Sequence, residues 1–450
     1  MNDMSRRVPG QSSSAKAGGK PGVKPLGPPD DHDLGARPRP GRAGPFGVLD
    51  IGTTKIACLI GRTDGDGRLR VLGFGWQRSR GVRGGGITDI EEAERAIRAA
   101  VGQAEEMADH RLRAVIVNLS CGAPESRLFN VQWPVGGRAV TEADIRRVVQ
   151  EGRARAWSEG RETIHALPLG FTADDTQGVA DPRGLHCEQL TARLHVLDAA
   201  STALRNLAAT IARCDLDLAE LVAAPLASGL ATLVADEREL GAVVIDMGGG
   251  TTALGVFAEG QLMHSALIPV GGVHVTSDLA RLLSTTLAAA ERLKTMYGTA
   301  LAAADDEREL LTVPIVGEDE HQYARIPRSM AVNIIRPRLE ETFELVRDRL
   351  EGAGLGRAAG TRIVLTGGAS QLVGAREMAH RILDRPVRAG RPANLRGLPD
   401  AATSPAFATA AGLLAWAAGE GRPLHDIDLE QVEAPRGFFG GVVNFLRDRF

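Results

Sequence analysis

Two short stretches carry the residue types needed to grip a phosphate. One runs Leu49-Asp50-Ile51-Gly52-Thr53-Thr54-Lys55, the other Ile245-Asp246-Met247-Gly248-Gly249-Gly250-Thr251-Thr252. In each, an apolar run leads to an Asp, a Gly/Thr turn and a second apolar run, so each reads as strand, turn, strand. A carboxylate at a strand end can hold a hydrated divalent cation. Glycines let the backbone approach a phosphate, and turn N–H groups with Thr hydroxyls donate to it. One such turn alone is an ordinary hairpin bend. Here Asp246 follows Asp50 by 196 residues, about a domain's length. Two facing copies would clamp a nucleotide's phosphates between two halves of the protein.

Other stretches extend that chemistry. Leu267 to Gly272 reads as a strand entering a Gly-Gly turn, and Val275, Leu279, Leu282 and Leu283 continue it as a helix whose start could face a phosphate. Glu291 and Lys294 lie at i, i+3 on a helix. On a surface that pair contributes little; in a cleft it would contact a ribose or base. Arg362 to Ser370 is a third strand-to-glycine element, where Gly367-Gly368 would let a flat base lie against the backbone. The small apolar stretch Pro405–Ala417 reads as a tightly packed core helix.

The chain's 450 residues suffice for two or three domains. Its 43% hydrophobic and 24% charged residues are ordinary for a soluble protein. A net charge of -3 gives no argument for nucleic acid as a partner. Cys58, Cys121, Cys187 and Cys214 lack metal or redox spacing and read as reduced, buried thiols of a cytosolic protein. No apolar run is long enough to cross a bilayer, and the start of the chain has no signal-peptide core.

The elements that must position these motifs follow from the pattern. Residues 1–45 are rich in Pro, Gly, Ser and basic groups and read as a disordered tail. Phe46 to Gly75 is an antiparallel meander with the first phosphate turn at its first bend, and Gly84-Gly85-Gly86 reads as a flexible junction. Residues 87–197 read as an α+β insert suited to protein contact, with a capping box at Thr141–Asp144. The spacing of His165, His186 and His195 within it favours structural histidines over a metal site. Residues 201–238 read as two helices joined at Asp215-Leu216-Asp217, residues 297–360 as charged and helical, and Asn333–Leu350 as a helix broken near Pro337. After a polar linker, Phe438, Phe439, Val442, Val443, Leu446 and Phe450 share one helical face, with Phe445 at its margin and Arg447 and Arg449 towards the polar side. Such a segment is too short to span a membrane and suits one that lies in the interface.

The order of these motifs resembles the actin-like ATPase superfamily. Within it the chain resembles the FtsA family of bacterial cell-division proteins over about residues 46 to 450, most specifically through the two turns, Asp181-Pro182-Arg183-Gly184 and the amphipathic end. The resemblance implies an α/β, actin-like ATPase fold: two ribonuclease-H-like halves around a nucleotide cleft, with an FtsA-type inserted α+β subdomain. It divides the chain into the tail 1–45; subdomain 1A (46–86, 198–238 and the helix 399–418); insert 1C (87–197); subdomain 2A (239–273 and 361–398); subdomain 2B (274–360); a linker (419–436); and a membrane-targeting helix (437–450).

ATP and Mg²⁺ are its implied cofactors. By motif, Asp50 and Asp246 would position the metal through water. Gly52, Thr53, Thr54 and Lys55 would bind phosphates opposite Gly248, Gly249, Gly250 and Thr251, with Gly271 and Gly272 on the same side. Glu291 and Lys294 match ribose contacts, and Gly367, Gly368 and Ala369 match adenine contacts. The implied partners are further copies of the chain in an actin-like filament, the C-terminal peptide of FtsZ, the cytoplasmic face of the inner membrane at the division site, and later division proteins through the insert. Arg338 and Glu341 would face the FtsZ peptide's charged groups.

Ala223 and Ala224 stand where faster relatives of the superfamily often carry a water-orienting Gln or Glu, so at most slow hydrolysis is expected. Three other readings share the fold. A metabolite kinase needs a catalytic carboxylate for which the insert offers no convincing candidate. A DnaK-like chaperone needs a substrate-binding β-domain, and only about thirty residues follow the last core helix. A pilus-assembly relative is nearest, and the amphipathic end and Asp181–Gly184 argue against it.

Overall fold

The computed structural model describes residues 44–424 apart from 66, 318–321, 356–361 and 393–394. The expected tail 1–45, but for its last two residues, lies outside them. So do the linker beyond residue 424 and the whole amphipathic segment with Phe438, Phe439, Val442, Val443, Phe445, Leu446 and Phe450.

Two five-stranded sheets follow the same plan. The first has the order Asp217–Ala223, Ala114–Leu119, Phe46–Ile51, Lys55–Thr63, Leu69–Arg78. The second has the order Gln261–Ile268, Thr252–Ala258, Ala242–Met247, Arg362–Thr366, Val387–Ala389. In each, the strand that leads into a phosphate turn is central. It pairs antiparallel with the strand after the turn and parallel with a strand from far along the chain. Such strands are covered on both faces, hence their near-continuous apolar runs.

Two large cores serve these sheets, and the second sheet contributes to both, reaching the first core through Val244, Phe257 and Val364. The helix Ile90–Ala108 packs Ala93, Ile97, Ala100 and Ala104 into the first core, and Leu413, Leu414 and Trp416 enter it from the helix Ala408–Ala417. The second joins Val243, Ile245 and Leu365 to Val275, Leu279, Leu339 and Phe343. A third, smaller core belongs to a four-stranded antiparallel sheet in the order Glu125–Pro134, Gln189–Ala200, Arg161–Ala173, Thr176–Val179, under the helix Glu142–Ala156. That helix starts on the expected capping box: Asp144 N–H donates to Thr141 Oγ1, and Thr141 N–H donates to Asp144 Oδ2 at 2.9 Å.

Several expectations need correction. The separate insert does not begin at 87, because the helix 90–108 covers the first sheet and Ala114–Leu119 is one of its strands. The second half of 201–238 is not helical at its start: Asp217–Ala223 pairs in parallel with Ala114–Leu119, and the helix Ala224–Thr232 follows. Gly84–Gly86 belong to a small hairpin, Val82–Arg83 with Gly86–Ile87, not a loose junction. Residues 297–360 contain the hairpin Leu310–Pro314 with Tyr323–Pro327. The helix Arg328–Gly352 runs unbroken through Pro337, because Ile335, Leu339, Phe343 and Val346 are buried along it and outweigh one forfeited backbone bond.

The four cysteines are free and buried, and burial pushes the Cys121 and Cys214 thiols up to about 11. Two of the insert's histidines are buried and have partners. His165 Nε2 accepts from Ala223 N–H at 3.1 Å, and His195 Nε2 lies 2.7 Å from Ser126 Oγ.

Candidate functional site

The two turns close in the same way. Gly52 N–H donates to Lys55 O at 3.0 Å, and Gly248 N–H donates to Thr251 O at 2.9 Å. Behind the first, Ile51 N–H donates to Asn118 Oδ1 at 2.7 Å, and Gly85 N–H donates to Thr53 Oγ1 at 3.1 Å. The second is stitched to the helix start at Gly271-Gly272: Gly272 and Val273 N–H donate to Gly248 O and Gly249 O, and Thr252 Oγ1 donates to Val270 O at 2.8 Å.

Around them sit the other expected groups. Lys294 Nζ donates to Gly272 O at 3.0 Å, Thr276 Oγ1 at 2.9 Å and Glu291 Oε2 at 2.7 Å. Gly367 has φ +86°, and a Cβ there would lie 2.4 Å from Asp246 Oδ1 and from Met247 O, so only glycine fits that approach. Asp50, Gly52, Thr53, Thr54, Lys55, Asp246, Gly248, Gly249, Gly250, Thr251, Gly271, Gly272, Glu291, Lys294, Gly367, Gly368 and Ala369 all line one cleft of about 470 Å³. That is a small-molecule volume.

The electrostatics suit an anion with a cation. Lys55 Nζ lies 3.2 Å from Asp50 Oδ2 and 4.8 Å from the Phe407 ring centre. Burial pushes the Asp246 carboxyl up to about 6; Thr409, donating to Oδ2 at 2.8 Å, pulls it down, and the Asp50 charge pushes it further up. A hydrated divalent cation near both acids would relieve that conflict. Among the described residues no group of three or more His, Cys, Asp or Glu could hold a metal. Two carboxylates at the turns leave most of a cation's ligands to water and phosphate, an arrangement that would suit Mg²⁺.

Sequence reasoning missed Gly85, Asn118, Ser120 and Thr409, all of which line the cleft. Asn118 and Thr409 left a trace, each being a polar residue in an otherwise apolar buried element. Ala224 lines the cleft as well, and the carboxylates that line it are Asp50, Asp246 and Glu291. Arg338 and Glu341 are not in the cleft. They pair with each other on the outer side of the helix Arg328–Gly352, whose Leu339 and Thr342 do line it.

The family model for cell division protein FtsA matches residues 243–412, and that for the SHS2 domain inserted in FtsA matches residues 122–197. The chain is 44% identical over 414 residues to the cell division protein FtsA of Rhizobium meliloti (strain 1021), covering 89% of this chain and 92% of that one. The chain belongs to the FtsA family of cell-division proteins. The SHS2 match coincides with the four-stranded sheet, so the FtsA insert begins near residue 122. In fold, the chain is similar to the PilM-PilN type IV pilus biogenesis complex, with TM-score 0.60, 18% identity and coverage of 83% of this chain and 98% of that one. It is also similar to MreB 5 of Spiroplasma citri bound to AMPPNP, with TM-score 0.50, 15% identity and coverage of 82% and 95%. The chain therefore has the actin-like ATPase fold with an SHS2 insert. Its likeness to the pilus protein is one of fold.

Proposed function

We propose that this FtsA-family chain is an ATP-switched scaffold that polymerises on the cytoplasmic face of the inner membrane at the division site. It holds the FtsZ ring through FtsZ's C-terminal peptide and helps recruit later division proteins through the insert. The observation that carries the reading is the meeting of two matched Asp–Gly–Thr turns in one cleft with the Glu291–Lys294 pair and the Gly367–Ala369 turn. The AMPPNP-bound MreB 5, similar in fold, supports a nucleotide there. Asp50 and Asp246 would hold Mg²⁺ through water, and the bound ion would neutralise phosphate charge. Lys55 and the two glycine-rich turns would cradle the phosphates.

Ala224 on the cleft wall offers no group to orient an attacking water, so the nucleotide acts more as a latch than as fuel. A short amphipathic helix at 437–450 would bind membrane weakly alone and firmly when a filament displays many copies. The test is recruitment of FtsZ to anionic liposomes by the full chain with ATP and Mg²⁺. Removing 437–450 should abolish membrane binding, whereas Arg338→Glu should abolish FtsZ recruitment alone. Undiminished recruitment by both variants would overturn the reading.

A further inference from the structure

The helices Gly272–Leu282 and Arg328–Gly352 lie side by side, and their seam has two faces. On the cleft side stand Val275, Leu339 and Thr342. On the outer side, Asp278 from the first helix meets Arg338 from the second. Arg338 Nε donates to Asp278 Oδ2 at 2.6 Å and Nη2 donates to Oδ1 at 3.2 Å. The remaining terminal nitrogen, Nη1, bonds to Glu341. The three side chains differ in exposure: 16% for Asp278, 27% for Arg338 and 50% for Glu341.

We propose that Asp278 is a positioning residue that aims Arg338 at an incoming carboxylate and ties that surface to the nucleotide cleft. The proposal rests on reading the Arg338–Glu341 face as the site of FtsZ's C-terminal peptide. Asp278 grips the guanidinium along its Nε edge in a bidentate fork, which fixes the plane of the group and turns the Nη edge outward. Glu341, exposed and joined by one bond, gives way to a peptide carboxylate at little cost. It is then left to meet a basic group of the same peptide.

The tie to the cleft is a matter of shared elements. Asp278 stands less than two turns into the helix whose first residue, Gly272, lines the cleft, and Arg338 adjoins the cleft-lining Leu339. A nucleotide that moves one helix against the other must move Asp278 against Arg338. By linkage, the peptide then changes nucleotide affinity by the same factor as nucleotide changes peptide affinity.

The test uses the full chain and a synthetic FtsZ C-terminal peptide, with affinity measured by fluorescence anisotropy with and without ATP and Mg²⁺. The wild type should show peptide affinities that differ by about threefold or more between the two conditions. Asp278→Asn should weaken the peptide by roughly fivefold and bring the ratio between conditions to one. Asp278→Glu should restore part of both. An unchanged ratio in Asp278→Asn, or equal peptide affinities in the two conditions for the wild type, would overturn the proposal. Should the wild type bind no peptide, the reading of this face fails, and ATP affinity decides the coupling. Asp278→Asn and Arg338→Gln must then shift ATP affinity by one common factor, with no further shift in the double variant. Unchanged ATP affinity would sink it.

Discussion

The two phosphate turns share a fold and a hydrogen-bond pattern, yet they are not interchangeable. Aligned on their closing bonds, Thr53 and Thr54 of the first stand where the second has Gly249 and Gly250. The turns fit together through that difference. A Cβ on Gly249 would lie 2.4 Å from Thr54 Cγ2, and one on Gly250 would lie 2.5 Å from Thr53 Oγ1. The hydroxyl side chains of one half fill the space that the other half leaves bare. The acids differ too. Both are buried, but Asp50 has an ammonium beside it, whereas Asp246 has a neutral hydroxyl as its bonded partner. One acid thus has a cation supplied by the chain itself, and the other is arranged to need one.

The largest effect should come from removing that second charge. Asp246 is held near 6 against an ordinary value of 3.8, mainly by burial. Because the folded value lies above the unfolded one, the fold favours the protonated acid. Its stabilising contribution is full below pH 3.8 and is lost as pH rises through about 6. Without nucleotide or Mg²⁺, Asp246→Asn should therefore be more stable than the wild type at pH 8, by up to about 3 kcal/mol, with the gap closing towards pH 4. The same variant should lose Mg²⁺-dependent nucleotide binding. Asp50→Asn should go the other way, since it leaves Lys55 without its carboxylate. Urea denaturation at several pH values checks both signs, and stabilisation by Asp50→Asn would erase the contrast between the turns.

The next effect tests the fit of side chain into bare backbone. Gly249→Ala should lower nucleotide affinity by about 5- to 150-fold, the equivalent of about 1–3 kcal/mol of overpacking. Adding Thr54→Gly should recover most of it, because the three atoms nearest a Cβ on Gly249 belong to Thr54. Gly250→Ala should resist rescue by Thr53→Gly, since the Gly84 backbone also lies 3.0 Å from the new Cβ. Equal rescue at both positions, read by calorimetric titration with ATP, would show that the contact with the small hairpin is slack.

What was legible in the sequence was local. Each turn, the Gly271-Gly272 helix start, the Glu291–Lys294 pair and the Gly367–Ala369 turn is written in consecutive or i, i+3 residues, and all of them reach the cleft. What was hidden depends on pairing across the chain. Asp217–Ala223 has helical spacing and helix-forming residues, and becomes a strand because Ala114–Leu119 offers it a parallel edge. The helix 90–108 adjoins the insert in sequence, and only the packing of its alanine face on the first sheet separates the two. Pro337 signals a break that a buried apolar stripe overrides. Thr409 is the clearest case, a lone hydroxyl in an apolar helix whose partner, Asp246, lies 163 residues earlier.

That hydroxyl supplies the smallest test of the contrast. Thr409→Val keeps the shape and removes the bond to Asp246. The loss should be about 1 kcal/mol or slightly more, as for a hydrogen bond to a charged acceptor. Its pH dependence is the informative part. The hydroxyl pulls the carboxyl's pKa down by favouring the ionised form, so removing it raises the value beyond about 6. The penalty should then be full at pH 8 and shrink as pH falls below 6, where Asp246 is protonated in both proteins. In the Asp246→Asn background, Thr409→Val should cost less at pH 8 and show no dependence on pH, because no titrating group remains for the hydroxyl to bias. A penalty that stays flat with pH in the wild-type background would mean that Thr409 packs the helix and does not hold the acid.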